Sequence, residues 1–164
     1  MTGRILQVNV SRGGVPKRPV PHGFAGPLGI EGDAVAHPHI HGGPKQALLL
    51  IASEAVDELA AEGFPVFYGT LGENLTTRGL DHRLFRAGQR FRAGDAFLEL
   101  TKPRTPCRTL DVYGPGIQQA VWEKSIKEGN TSSPFWGRSG FYASVILPGM
   151  IRADDIIQLV DQVV

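Results

Sequence analysis

The chain's one cysteine, Cys107, stands at the end of the stretch "TKPRTPC" (101–107), with Arg104 three residues before it and Arg108 directly after it. A thiol attacks electrophiles or binds metals as the thiolate, and adjacent guanidinium charge favours that form. Pro103 and Pro106 each fix φ and remove a backbone donor, so the approach to Cys107 is stiff and can hold one side chain in place. These neighbours point to a reactive or metal-binding sulfur. The alternative from the residues alone is a partly buried structural cysteine.

Three other stretches carry residue types suited to chemistry. In "HPHIHGGPKQ" (37–46), His37, His39 and His41 alternate and would share one face of a strand, where three imidazoles could bind Zn or Fe. Pro38 argues against a central strand there, and no carboxylate ligand follows at a motif spacing. The same stretch continues as Gly42-Gly43-Pro44-Lys45. Paired glycines let backbone N–H groups approach an anion closely, and Lys45 adds charge; a tight turn is the simpler role. In "LGENLTTRG" (71–79), Glu73 is followed by Asn74, whose amide both donates and accepts; alone this is a polar loop. In "GIEGDAV" (29–35), Asp33 follows Gly32 and is placed to orient a histidine or cap a turn.

The elements that must position these residues read as mostly β. Glycine (21) and proline (12) together make up about a fifth of the chain and punctuate it into short runs. Strands are expected at 4–10, 46–52, 89–94, 96–101, 141–147 and 155–160, with a hairpin around Gly94-Asp95. Two segments read as helices. One is 53–63, with Ser53 as N-cap and Gly63 at its end. The other is 116–129, with Ile117, Val121 and Ser125 at four-residue steps. Many short strands and few helices predict a barrel or a sandwich. The segment 127–140 is the expected mobile loop.

Composition narrows the function classes. A length of 164 residues fits one domain, 1–164, able to bury about two-thirds of its unfolded surface. Apolar residues at 41% and charged residues at 20% are ordinary for a globular chain. A net charge of +1 leaves no broad basic surface, so no nucleic-acid partner is expected. A single cysteine forms no internal disulfide, the start "MTGRILQVNV" is too polar for a signal peptide, and no apolar run approaches ~18 residues. A cytoplasmic protein without a membrane partner is the expectation. One cysteine also excludes a self-contained Cys-ligated iron–sulfur cluster.

Taken in order, "GIEGDAVAHPHIHGGPKQALLL", "LGENLTTRGLD", "LFRAGQRFRAGDAFLELTKPRTPCRTLD" and "GRSGFYASVILPGMIRADD" resemble the MOSC domain, the C-terminal domain of molybdenum cofactor sulfurases that also occurs as free-standing bacterial proteins. The likeness runs from about residue 4 to 160 and is closer to the free-standing bacterial branch. It implies a mostly β fold with a closed or partly open β-barrel and a few helices, like the pyruvate kinase β-barrel. It also implies the molybdenum cofactor (Mo-pterin) as ligand, with Cys107 as the key thiol that ligates molybdenum or carries sulfur. By residue type, Arg104, Lys45, Arg138 and the Gly42-Gly43 turn suit the cofactor's phosphate, while His41 and Asn74 match motif positions at the pterin or near the metal. The family is also associated with pyridoxal phosphate, to which these residues add nothing. His37 and His39 match no family role. The sequence reaches Val164 about where the MOSC domain itself should end, whereas some relatives carry a further helical region. The closing Gly-Asp turn of the family is Ala153-Asp154 here.

Three functions follow. The first is a molybdoenzyme that reduces N-hydroxylated small molecules with Cys107 as metal ligand and an external electron donor. The second is a carrier that hands the cofactor, or a persulfide sulfur on Cys107, to a receiving enzyme. The third is a metal protein built on His37, His39 and His41.

Overall fold

The computed structural model describes residues 1–35, 38 and 40–160. The strands are β1 (Thr2–Val10), β2 (Arg18–Val20), β3 (His22–Gly26), β4 (Gly29–Ile30), β5 (Leu48–Ala52), β6 (Leu75–Arg78), β7 (Arg90–Ala93), β8 (Ala96–Pro103), β9 (Phe141–Leu147), β10 (Gly149–Arg152) and β11 (Ile156–Val160). Strands pair in the order β11-β7-β8-β9-β5-β6-β1, and β1 pairs again with β11, which closes the barrel. Closure removes the exposed strand edges that an open sheet would present. β2 extends the far end of β1, and β10-β3-β4 form a separate small sheet. Between barrel and sandwich, the barrel is the outcome.

Local sequence explains most of this wall. The hairpin β7–β8 closes at Ala93↔Ala96, with Gly94-Asp95 as its two-residue turn and Gly94 at φ 56. β5 is buried at every residue because both its faces are covered: Leu48 and Leu50 point into the barrel core, and Leu49 and Ile51 into a second core outside it. β5 also makes the parallel pairing of the barrel, with β6, and its uninterrupted apolar run is what a strand buried on both sides requires. In β1 the register shifts between Ile5 and Gln7, and this bulge lets Ile5 and Val8 both face inward despite their three-residue spacing. The barrel interior centres on Phe85, Phe91 and Phe141, whose rings meet edge-on at 5.7 Å. Each such pair contributes about 0.5–1.5 kcal/mol beyond its area.

The second core lies between the outer wall and the helix α1 (Ser53–Ala61), which buries Ala55, Val56 and Leu59. Ser53 is the first helical residue, and Ala52 holds the N-cap position. The Ser53 hydroxyl instead donates to Glu54 and accepts from Arg78 Nε. The expected helix over 116–129 is two short ones, α2 (Ile117–Val121) and α3 (Lys124–Lys127). The buried residues are Ile117, Val121 and Ile126, not Ser125. A five-residue step from Val121 to Ile126 would leave the face of a continuous helix, and extended backbone at Trp122 and Glu123 re-aims it.

The segment 127–140 differs from the expected mobile loop. It is a chain of turns with Trp136, Arg138 and Ser139 buried. Trp136 Nε1 donates to Phe85 O at 2.9 Å, which pins the segment to the barrel mouth. None of the helices among the described residues is long and apolar enough to cross a membrane.

Candidate functional site

Successive strand pairings draw one line around the barrel: Val8↔Leu75, Leu75↔Leu50, Leu50↔Phe141 and Phe141↔Pro103. Val8, Leu75, Leu50 and Phe141 all belong to the barrel core. Their sequence neighbours therefore face outward, because strand side chains alternate. Those neighbours are Leu49, Asn74 and Tyr142, with Arg104 just past the end of β8, and all four line a cavity of about 340 Å³. The cavity thus lies on the outside of the barrel wall. The segments around Val15 and Lys17, around Asp33 to Ala47, and around Cys107 to Thr109 cover it.

Cys107 reaches this cavity because β8 ends at Pro103 and the chain turns away, with Arg104 N donating to Gly140 O at 2.8 Å. Cys107 then caps the 3₁₀ helix Arg108–Tyr113, its carbonyl accepting from Leu110 N at 3.1 Å. The half-buried Cys107 Sγ shares a hydrogen with Thr109 Oγ1 at 2.8 Å. Of the two flanking guanidinium groups, Arg104 turns into the protein and lines the cavity, while Arg108 is exposed. Arg104 is buried; Nη2 donates to Leu71 O at 3.0 Å and Nη1 to Ser139 Oγ at 3.4 Å, and Nε has no partner among the described residues.

The opposite wall is held by one carboxylate. Asp33 accepts from Lys17 Nζ at 2.6 and 2.8 Å, from Ser11 N at 2.9 Å and from Asn74 Nδ2 at 2.8 Å. The side chains of Lys17 and Asp33 are 8% and 10% exposed, so this is a nearly buried ion pair with its carboxylate fully used. Asn74 continues the network: Oδ1 accepts from Leu49 N at 3.1 Å, and Nδ2 also donates to Asn9 O at 3.3 Å. Asp33 therefore orients a lysine and an asparagine, and joins three separate segments of the chain.

Behind these walls sits Glu73, fully buried. Its Oε1 accepts from Gly69 N at 2.6 Å and from Thr76 Oγ1 at 3.1 Å, while Oε2 has no partner among the described residues. Burial pushes the Glu73 carboxyl up, against the hydrogen bonds and the Arg104 charge that pull it down. Burial likewise raises the Tyr142 hydroxyl at the cavity wall.

Of the residues singled out in the sequence, Cys107, Arg104, Asn74, His41, Gly42 and Gly43 line this one cavity. Gly42 and Gly43 hold φ 89 and 87, a region that side chains rarely adopt, so this part of the wall is bare backbone. Lys45 lies in the 3₁₀ helix Pro44–Gln46, exposed and outside the lining; its carbonyl accepts from Thr101 Oγ1 at 2.7 Å. Arg138 is also outside. Its guanidinium is taken by Glu62, by Ala120 O at 2.8 Å and by Glu58 at 3.6 Å, and it ties α1 to α2. His37 and His39 lie outside the described residues, and among the described residues no group of three His, Cys, Asp or Glu is placed to hold a metal ion. The Lys17–Asp33 pair, Thr109, Gln46 and Tyr142 are lining residues that sequence reasoning did not place here. No local pattern around Lys17 marks it, since its partner Asp33 is sixteen residues away.

A closed barrel with a thiol, a guanidinium and bare backbone on one outer cavity agrees with the MOSC-type domain that the sequence resembles. The MOSC domain family model matches residues 37–158, and the chain belongs to this family. It is 33% identical to protein YiiM of Escherichia coli strain K12 over 144 residues, 83% of this chain and 58% of that protein. It is 29% identical to YflK of Bacillus subtilis strain 168, over 81% of this chain and 56% of that protein. The chain thus spans less than two-thirds of the length of these curated relatives. The crystal structure of YiiM from Geobacillus stearothermophilus superposes with a TM-score of 0.73 at 25% identity, covering 97% of this chain and 75% of that one. The E. coli YiiM structure does so at 0.68 and 28%, covering 99% and 71%. The family is one associated with the molybdenum cofactor.

Proposed function

We propose that the cavity beside Cys107 binds the molybdenum cofactor, with the Cys107 thiolate as metal ligand, and that the protein reduces N-hydroxylated small molecules. The supporting observation is the convergence of Cys107, Arg104, Asn74, His41 and Gly42-Gly43 on one cavity of about 340 Å³. The donor set fits the group. Thiolate sulfur suits a soft metal centre, and a guanidinium at the cavity wall suits a phosphate. When bound, the cofactor supplies oxygen-atom removal from the N–OH group, drawing electrons from an external donor.

The chain's own residues do the rest. Thr109 donates its hydroxyl hydrogen to a Cys107 thiolate and holds the sulfur at the cavity. Arg104, anchored by Leu71 O and Ser139 Oγ, sets its positive charge at the cavity wall toward the ligand's anionic end. Asp33 keeps the Lys17 charge neutralised and Asn74 fixed, so the opposite wall stays in place as ligand enters. Buried Leu49 forms the apolar side, with exposed Leu28 and Val35 at its rim.

The test is amine formation from a hydroxylamine-type substrate with an artificial electron donor, using protein expressed in a cofactor-competent host. Turnover by wild type that Cys107→Ser abolishes is the expected result. Cofactor retained without turnover would contradict the enzyme and assign the domain to delivery of cofactor, or of sulfur on Cys107, to a receiving enzyme.

A further inference from the structure

The charges around the cavity are not balanced alike. Lys17 and Asp33 cancel each other in direct contact. Among the described residues Arg104 bonds a carbonyl and a hydroxyl and no carboxylate, and the same 69–73 turn holds both groups, Arg104 through Leu71 O and Glu73 through Gly69 N, with the Arg104 charge acting on the Glu73 carboxyl. Both side chains carry an unspent atom: Glu73 Oε2 and Arg104 Nε are each buried without a partner among the described residues. An isolated buried carboxylate is costly, so a Glu73 without a contacting cation favours its neutral form.

We propose that Glu73 governs how strongly Arg104 holds an anion in the cavity: uncharged, it leaves the guanidinium to the ligand; ionised, it competes with the ligand for the guanidinium's charge. Glu73 is on this account a positioning residue, and the inference rests on Arg104 as the anion-holding group. The other groups around it do not substitute for it. Tyr113, on the 3₁₀ helix Arg108–Tyr113, has an unpartnered hydroxyl that burial and the Glu73 charge both push up, so it stays neutral near neutral pH. Arg18 acts on Tyr113 from its far side. Asp33 is already saturated by Lys17, Ser11 and Asn74. On the cavity side, Tyr142 and Cys107 flank Arg104, and the Tyr142 hydroxyl is raised by its burial. His41 lines the same cavity.

Linkage makes the coupling reciprocal: an anion on Arg104 favours neutral Glu73, and neutral Glu73 favours the anion. The probe is sulfate, whose charge is constant over the range used. Sulfate affinity is measured by calorimetry from about pH 5 to about pH 9 on wild type, Glu73→Gln and Arg104→Met, with folding checked by near-UV circular dichroism. Wild type should lose at least about tenfold in affinity as pH rises, the size expected when an opposite charge appears beside a buried cation. Glu73→Gln should lack that part of the loss, since the substitution removes only the Glu73 carboxyl and leaves every other group of the cavity in place. In wild type, carbon-detected NMR of the Glu73 carboxyl should show its titration moving to higher pH when sulfate is saturating. Identical pH profiles in wild type and Glu73→Gln, or a Glu73 titration that sulfate does not move, would overturn the inference while leaving the anion site standing. Absence of sulfate binding at every pH, or binding unchanged in Arg104→Met, would overturn the role of Arg104 and this inference with it.

Discussion

The two long walls of the cavity are built on opposite terms. On the Asp33 wall both carboxylate oxygens are engaged, by Lys17, Ser11 and Asn74, and the Asn74 amide is shared among Asp33, Leu49 and Asn9. On the Cys107 wall, polar atoms are left over: Arg104 Nε and, behind it, Glu73 Oε2. Both walls are buried to a similar degree, so exposure does not explain the difference. A buried polar atom without a partner costs about 1–3 kcal/mol, and a fold tolerates that where another need is served. We therefore propose that the Asp33 wall serves as scaffold and the Cys107 wall as the side that meets the ligand.

The largest expected effect breaks the scaffold side. Asp33→Ala leaves the Lys17 ammonium buried with no counter-charge and should cost ~3–5 kcal/mol in urea unfolding. The double variant Lys17→Met/Asp33→Asn should recover much of that loss, since it removes both charges together and keeps a side-chain oxygen as acceptor. Failure of the double variant to recover would mean that the pair does more than neutralise itself.

On the other wall the effects on stability should be smaller and of different kind. Arg104→Met strands Leu71 O but buries no new charge, so it should cost ~1–3 kcal/mol, less than Asp33→Ala in the same assay. Glu73→Gln should change stability in a pH-dependent way. The folded Glu73 carboxyl lies above its ordinary 4.5, so the folded protein holds a proton there that the unfolded chain releases. Wild-type stability should then fall as pH rises above about 4.5, and the glutamine, which does not titrate, should escape that fall. A melting-temperature gap between Glu73→Gln and wild type that widens with pH is the expected observation; a constant gap would refute the neutral acid.

What the sequence made legible follows the same division. Cys107, Arg104, Asn74, His41 and the glycine pair stand in compact motifs, and the structure gathers them on one cavity. Six strand runs were readable, because the barrel's alternation and the Gly94-Asp95 turn are local signals, but β6, in the stretch 71–79 read as a polar loop, and the short β2, β3, β4 and β10 were not. The Lys17–Asp33–Asn74 knot was not, since its members come from three segments and only the closed barrel makes them neighbours. Arg138 fits a phosphate by residue type, but its guanidinium is taken by Glu58 of α1 and Glu62 at its C-cap, far away in sequence. Glu73 reads as a polar loop residue, yet it is fully buried and bonded to the Gly69 turn and to Thr76 of β6. The Gly- and Ser-rich run 127–140 reads as a loose loop because its anchor, Trp136 bonded to Phe85 O, is a tertiary contact.

The most direct measurement is the molybdenum and pterin content of wild type and Cys107→Ser, purified from the same cofactor-competent host, by elemental analysis and by fluorescence of the oxidised pterin. Replacing a half-buried thiol by a hydroxyl should leave stability within ~1 kcal/mol of wild type, so a folded variant is available for comparison. Near-stoichiometric molybdenum and pterin in wild type, with molybdenum lost from Cys107→Ser, is the predicted result. Equal molybdenum in both proteins would contradict Cys107 as the metal ligand, and none in either after reconstitution with free cofactor would contradict the cofactor site itself.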